Sequence, residues 1–224
     1  MGEQVRLRAA DGHELGAYRS EPSGRPQGGL VVLQEIFGVN SHIRDVTDGF
    51  AAEGYLALAP ALYDRSSAKN VEMGYTPEDI KRGRTLREEF SWDDTVKDVE
   101  AAMSSLRGEG LRVGSVGYCW GGSISFLSAV RLPLDAAVVY YGGQILPYLN
   151  EKERCPLLMH FGKRDTSIPA SDVEAIQRAH PGAIVHLYDA DHGFNCDHRA
   201  QYDEASARLA RERTLAFFAA HLSP

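Results

Sequence analysis

Cys119 lies in the stretch Gly117-Tyr118-Cys119-Trp120-Gly121-Gly122, two residues after one glycine and two before another. An apolar run, Leu111 to Val116, leads into it, and a helix-forming stretch, Ser123 to Val130, follows. The pattern is that of a nucleophile elbow with cysteine where serine usually stands. Glycines there permit a sharp strand-to-helix turn and a close approach of helix to strand. Such a turn raises the sulfur into solvent at a helix N-terminus, where backbone N–H groups favour a thiolate. A thiolate so placed can attack a carbonyl if a base and an orienting acid accompany it. The plainer alternative, a small buried core cysteine, fits poorly between flexible glycines directly after a strand.

Elbow enzymes order their chain as nucleophile, acid, histidine. Asp165 follows the strand-like run Leu157–Phe161, and His192 follows Ile184–Tyr188, so both fall in post-strand loops in that order. Cys119 would attack the carbonyl, and His192 would accept the thiol proton and return it to the leaving group. Asp165 would fix the histidine tautomer. Asp189 and Asp191 compete for the acid role but lie too near His192 in sequence. The oxyanion that forms needs two backbone N–H donors. Trp120, directly after the nucleophile, supplies one, and Ile36, in the loop Gln34-Glu35-Ile36-Phe37-Gly38 after Leu30–Leu33, is the choice for the other. Phe37, Tyr141 and Phe194, placed on post-strand loops with Trp120, are candidates for an apolar substrate wall.

These groups need a scaffold that gathers loops at one edge. Strands are expected at Val5–Ala9, Glu14–Arg19, Leu30–Leu33, Tyr55–Ala59, Leu111–Val116, Ala136–Tyr140, Leu157–Phe161 and Ile184–Tyr188. Helical spacing marks His42–Glu53, Trp92–Leu106, Ser123–Val130, a stretch from Pro169 to Ala179, and Ala205–His221. Asp64–Glu78, with Gly74 and Pro77, reads as a surface excursion, and the charged stretch Arg87–Asp94 as a solvated helix end. Alternating strands and helices indicate an α/β fold, a mostly parallel central sheet flanked by helices on both faces. Right-handed crossovers then line up the post-strand loops along one edge of the sheet. Residues 1–224 are expected to form a single domain.

Composition narrows the partners. A net charge of −7 with dispersed basic residues argues against a nucleic-acid surface. No apolar run approaches the roughly 18 residues of a membrane helix, and no secretory segment follows Met1. Three widely spaced cysteines read as free thiols in a reducing cytoplasm. Cys155, just before Pro156, reads as structural. The run Asp191, His192, Cys196, Asp197, His198 invites a zinc reading, but its spacing matches no standard finger and His192 already has a role. No metal site is therefore expected. His13, His42, His160, His180, His186, His198 and His221 read as surface or packing residues.

The chain resembles the dienelactone hydrolase family, the carboxymethylenebutenolidases of the α/β-hydrolase fold. The resemblance rests on Gln34-Glu35-Ile36-Phe37-Gly38-Val39-Asn40, on Gly54-Tyr55 through Ala59-Pro60-Ala61-Leu62-Tyr63, and on Asp98-Val99-Glu100-Ala101-Ala102. It continues through the Cys119 elbow, Tyr140-Tyr141-Gly142, Gly162 with Asp165, and Glu212-Arg213-Thr214-Leu215. It implies a Cys119–His192–Asp165 triad and no metal or organic cofactor. It also implies that Glu35 lies beside the thiol and keeps it protonated until substrate displaces the carboxylate. A nearby negative charge disfavours a thiolate, which makes this physically reasonable.

Family members that cleave dienelactone hold the substrate carboxylate with arginines, one of them four residues after the histidine. Here that position is Cys196, which either lines the pocket or fills the space an arginine leaves, and Arg199 is the nearest basic residue. The other arginine falls in Ile80-Lys81-Arg82-Gly83-Arg84, so Arg82 and Arg84 are both candidates. The expected function is hydrolysis of a small ester or lactone, carboxylate-bearing if one of these arginines meets it, by a monomeric, cofactor-free cytoplasmic enzyme acting through a thioester. The alternative is a protein of the same fold that binds ligand or senses oxidation through Cys119 without turnover.

Overall fold

Continuously apolar strands need cover on both faces, and the computed structural model, which describes residues 2–223, provides it. Eight strands run in chain order as β1 (Glu3–Arg8), β2 (Glu14–Ser20), β3 (Gly29–Leu33), β4 (Leu56–Pro60), β5 (Val113–Tyr118), β6 (Ala136–Tyr140), β7 (Leu157–Gly162) and β8 (Ile184–Tyr188). They form one sheet in the order β1-β2-β4-β3-β5-β6-β7-β8. β2 pairs antiparallel with β1 and with β4, and every other neighbouring pair is parallel. Every residue of β3 through β7 is buried.

Six helices accompany the sheet: α1 (Ser41–Ala52), α2 (Pro77–Leu86), α3 (Trp92–Gly108), α4 (Trp120–Arg131), α5 (Ala170–Ala179) and α6 (Glu204–Leu222). Gly114 of β5 faces Phe218 and Leu222 of α6, whereas Gly117 faces the backbone of α4. Residues an odd number apart in a strand point to opposite faces, so α4 and α6 lie on opposite sides of the sheet. α1 joins α6, with the Phe50 and Phe218 rings 6.3 Å apart. α3 joins α4. No helix among the described residues is long and apolar enough to cross a membrane.

Two boundaries differ from expectation in a useful way. β5 runs two residues further, to Tyr118, and α4 begins at Trp120, so Cys119 alone makes the turn. The expected surface excursion is shorter, because Pro77–Leu86 is a helix. Thr76 and Asp79 cap it reciprocally and Pro77 occupies its first turn, a capping-box signal present in the sequence but outweighed by Gly74 and Pro77. Asp64, also placed in that excursion, is buried, where its carboxylate accepts the Gly16 and Asn70 amides at 2.8 and 3.0 Å.

A buried polar network ties the sheet to α6. His160 of β7 meets the Tyr188 hydroxyl through Nδ1 at 2.8 Å and Thr214 Oγ1 through Nε2 at 3.1 Å. The Tyr140 hydroxyl reaches the same Thr214 oxygen at 2.7 Å. Burial, aided by the charges of His186 and Arg213, pushes His160 from 6.5 down to about 3. The unfolded chain thus takes up this proton at higher pH than the folded one. The stabilisation is complete above 6.5 and is lost as pH falls towards 3, with a slope of up to about 1.4 kcal/mol per pH unit. The melting temperature should therefore fall between roughly pH 6.5 and 5, and His160→Gln, which cannot titrate, should show a shallower fall. Equal slopes for wild type and variant in a calorimetric pH series would contradict this assignment.

Candidate active site

The elbow is built by backbone contact. Cys119 has φ 55° and ψ −116°, a conformation that costs a non-glycine residue on the order of 1–3 kcal/mol. Its N–H donates to Tyr140 O at 3.0 Å and its carbonyl accepts from Ser123 N at 3.2 Å, fastening the turn to β6 and to α4. A Cβ at Gly117 would strike the Gly121 carbonyl, and one at Gly121 would strike the Leu33 carbonyl. Only glycine at these positions lets β5, α4 and the end of β3 meet at one point.

Cys119, His192 and Asp165, the residues expected to act together, meet there. Cys119 Sγ lies 3.2 Å from His192 Nε2, and His192 Nδ1 lies 2.7 Å from Asp165 Oδ2. The second carboxylate oxygen of Asp165 accepts the Ser167 and Ile168 amides at 2.8 and 3.2 Å, which locks the acid in the loop after β7. The competing aspartates are engaged elsewhere. Asp191 accepts the His192 amide at 2.7 Å, and Asp189 is an exposed neighbour of Arg164 at 3.6 Å. Burial works against charge on His192, but the Cys119 charge and the hydrogen bond donated to Asp165 outweigh it and lift the imidazole from 6.5 to about 10. Both partners of the imidazole thus favour its protonated form.

Trp120 opens α4, so its N–H has no carbonyl four residues earlier in the helix to bond and is free to serve a ligand. Its indole stacks on Tyr63 with centroids 5.3 Å apart. The peptide that carries the Ile36 N–H is held from its other end. Gln34, fully buried, donates to Glu35 O at 3.3 Å and accepts from Leu62 N at 3.2 Å. Gln34 has no spacing signature of its own in the sequence, because its part is to hold a neighbouring peptide.

A cleft of about 410 Å³ opens over Cys119 and His192. Of the residues expected on it, Ile36, Phe37, Arg84 and Arg199 line it, and Arg87 and Gln144, not anticipated, join them. Three of the candidate residues sit elsewhere. Arg82 is exposed on α2 and is not among the lining residues. Tyr141 and Phe194 are fully buried behind the histidine, with Tyr141 5.1 Å from the His192 ring and 5.4 Å from Phe194. They pack the back of the site instead of walling the cleft, because Tyr141, at φ 38°, turns inward directly after β6.

Glu35 is 1% exposed, and its Oε1 accepts from Arg199 Nη1 at 3.2 Å. Among the described residues its other oxygen has no hydrogen-bond partner, and Cys119 bonds His192 and not Glu35. The Arg199 guanidinium lies over the Phe37 and Tyr75 rings, 5.8 and 5.9 Å from their centroids. Burial opposes its charge and the Glu35 carboxylate restores it. Cys196 is buried away from the cleft, and burial together with the Glu35 charge pushes its thiol up to about 12.

A sequence profile of the dienelactone hydrolase family matches residues 15–222. The chain belongs to that family. A carboxymethylenebutenolidase from Pseudomonas putida is 33% identical, the match covering 98% of this chain and 97% of the relative. A carboxymethylenebutenolidase candidate from Synechocystis is 38% identical over 93% of each chain. The solved structure of a dienelactone hydrolase candidate from Klebsiella pneumoniae superposes with a TM-score of 0.84 at 33% identity, covering 97% of this chain and 99% of that one. This dienelactone hydrolase family member therefore has the α/β architecture of its relatives, with a mostly parallel sheet and post-strand loops gathered at one edge.

Asp165→Asn tests the electrostatics. The imidazolium persists up to about pH 10 with Asp165 in place and should lose its proton at lower pH without that carboxylate. Alkylation of Cys119 by iodoacetamide near pH 8 should slow, because an imidazole without its carboxylate partner holds a proton less well and supports less thiolate. Equal alkylation rates in the two proteins would contradict the pairing.

Proposed function

We propose that this protein hydrolyses a small lactone or carboxylic ester bearing a carboxylate, through a thioester on Cys119. The observation that carries the proposal is the unbroken line from Cys119 Sγ through His192 to Asp165, opening on a cleft lined by Arg84, Arg87 and Arg199. The name of the relatives, carboxymethylenebutenolidase, describes a lactone of this kind and supports the same substrate class.

In the first half-reaction the Cys119 thiolate attacks the carbonyl carbon and a C–S bond forms. The carbonyl electron pair moves to oxygen, where the Ile36 and Trp120 amides receive it. Collapse breaks the C–O bond, and His192 gives its Nε2 proton to the departing oxygen, which in a lactone stays tethered to the acyl group. Water then attacks the thioester, His192 takes its proton, and the thiolate leaves with the C–S bond electrons. Asp165 holds Nδ1–H throughout, so Nε2 is the nitrogen that exchanges protons.

Arg199 is the proposed partner of the substrate carboxylate, and Glu35 is its resting partner. A ligand carboxylate competes with Glu35 for the guanidinium, and the Glu35 charge restrains the thiol until that exchange occurs. Cys119→Ala should lower turnover of a chromogenic ester by about 10³-fold or more and abolish any burst. Undiminished turnover in that variant would overturn the reading. Arg199→Gln should raise KM for a carboxylate-bearing lactone relative to a neutral ester by roughly tenfold to a hundredfold, the value of a hydrogen bond to a charged group. An unchanged ratio would remove the arginine from substrate recognition.

A further inference from the structure

Behind the cleft, three side chains with metal-binding chemistry converge from separate elements. Glu35 comes from the loop after β3, His42 from the first turn of α1, and Cys196 from the loop after β8. One donor atom from each lies within 4.8 Å of the other two, and all three residues are buried. Two of the donors are orphans. Glu35 Oε2 and His42 Nε2 are buried with no hydrogen-bond partner among the described residues, although Glu35 and His42 are only 1% and 3% exposed. A buried polar atom left without a partner is costly, and a native fold that tolerates two at one point invites explanation. His42 Nδ1 is occupied by Asp197 at 3.2 Å, which fixes the ring and leaves Nε2 as the inward donor.

We propose that Glu35, His42 and Cys196 form a binding site for a thiophilic divalent cation such as Zn²⁺, separate from the Cys119–His192 pair. A carboxylate oxygen, an imidazole nitrogen and a thiolate are ligands zinc accepts together. Zinc–ligand bonds of about 2.0–2.3 Å require the donors to close inward by under about 1 Å each. Binding forms Zn–O, Zn–N and Zn–S bonds, and the Cys196 thiol proton leaves to solvent, so no oxidant or reductant is involved. A second cluster lies on the far edge of the same imidazole. There His42, Asp197 and His198 also bring donor atoms within 4.8 Å of one another, the last two exposed at the surface. Because Glu35 also holds Arg199, metal at this site draws the carboxylate away from the guanidinium and couples the site to the cleft.

The inference stands independently of the hydrolase reading, and its test is spectroscopic. Protein stripped with a chelator is titrated with Co²⁺ alone. Wild type should bind one cobalt per chain and develop a thiolate-to-cobalt charge-transfer band in the near ultraviolet, which Zn²⁺ then abolishes by displacement. Cys119→Ser should keep the band and Cys196→Ser should lose it. His42→Gln should weaken apparent Co²⁺ affinity at least about tenfold while retaining a cooperative melt. Should Cys196→Ser fail to fold, the His42→Gln and Cys119→Ser titrations decide by themselves. A wild type without the band overturns the proposal, as does a band lost in Cys119→Ser, which would place the metal on the catalytic pair. Cobalt bound without the band and released by His198→Ala, which would place it on the surface trio, also overturns it.

Discussion

The backbone of Cys119 must leave β5 and enter α4 within one residue, and much of the active edge is arranged around that requirement. A residue at φ 55° and ψ −116° stays there only if its surroundings over-determine it. They do so from three directions. Gly117 and Gly121 let strand, helix and the end of β3 touch by backbone, Tyr140 O accepts the Cys119 amide, and Ser123 N–H donates to its carbonyl. The same contacts bring the Leu33 and Gln34 carbonyls against the start of α4. Strain at one residue and the meeting of β3, β5 and α4 are therefore parts of a single packing solution.

Around this fixed point the charges form two shells with different tasks. The inner line, His192 and Asp165, is fully bonded: each nitrogen of the imidazole and each oxygen of the carboxylate has a partner. The outer group, Glu35, Arg199, His42 and Cys196, is incompletely bonded, with orphaned atoms on Glu35 and His42. A saturated network holds geometry, whereas an unsaturated one has spare bonding capacity that a ligand can use. Within the outer group Glu35 joins the cleft to the interior, since its charge bears on Arg199 in the cleft and on Cys196 behind it.

The meeting of Cys119, His192 and Asp165 and the parallel sheet were legible because each rests on a local pattern: glycine spacing at Cys119, and loops directly after apolar runs for Asp165 and His192. What stayed hidden depends on side-chain direction or on coiling within loops. Tyr141 and Phe194 follow strands as a pocket wall would, but a positive φ at Tyr141 sends its ring inward. The position four residues after His192 holds Cys196, and the guanidinium reaches the cleft from Arg199 instead. The loop coils back through Cys196 N to Gly193 O and Arg199 N to Cys196 O, at 2.9 and 3.1 Å, and so returns Arg199 to the site. Helix α2 carried a readable cap in Thr76 and Asp79, yet Gly74 and Pro77 beside it resembled loop. His42 offered no signal at all, since its meeting with Glu35 depends on how α1 docks on the sheet.

The central claim is that Cys119 becomes acylated during turnover. Rapid acid quench of the enzyme with a slowly deacylating ester, followed by peptide mass spectrometry, measures this directly. The account predicts an acyl mass on the peptide containing Cys119 that rises within the first turnover and decays at the rate of product formation. Hydrolysis proceeding with Cys119 unmodified, or with the acyl group on another residue, would contradict it.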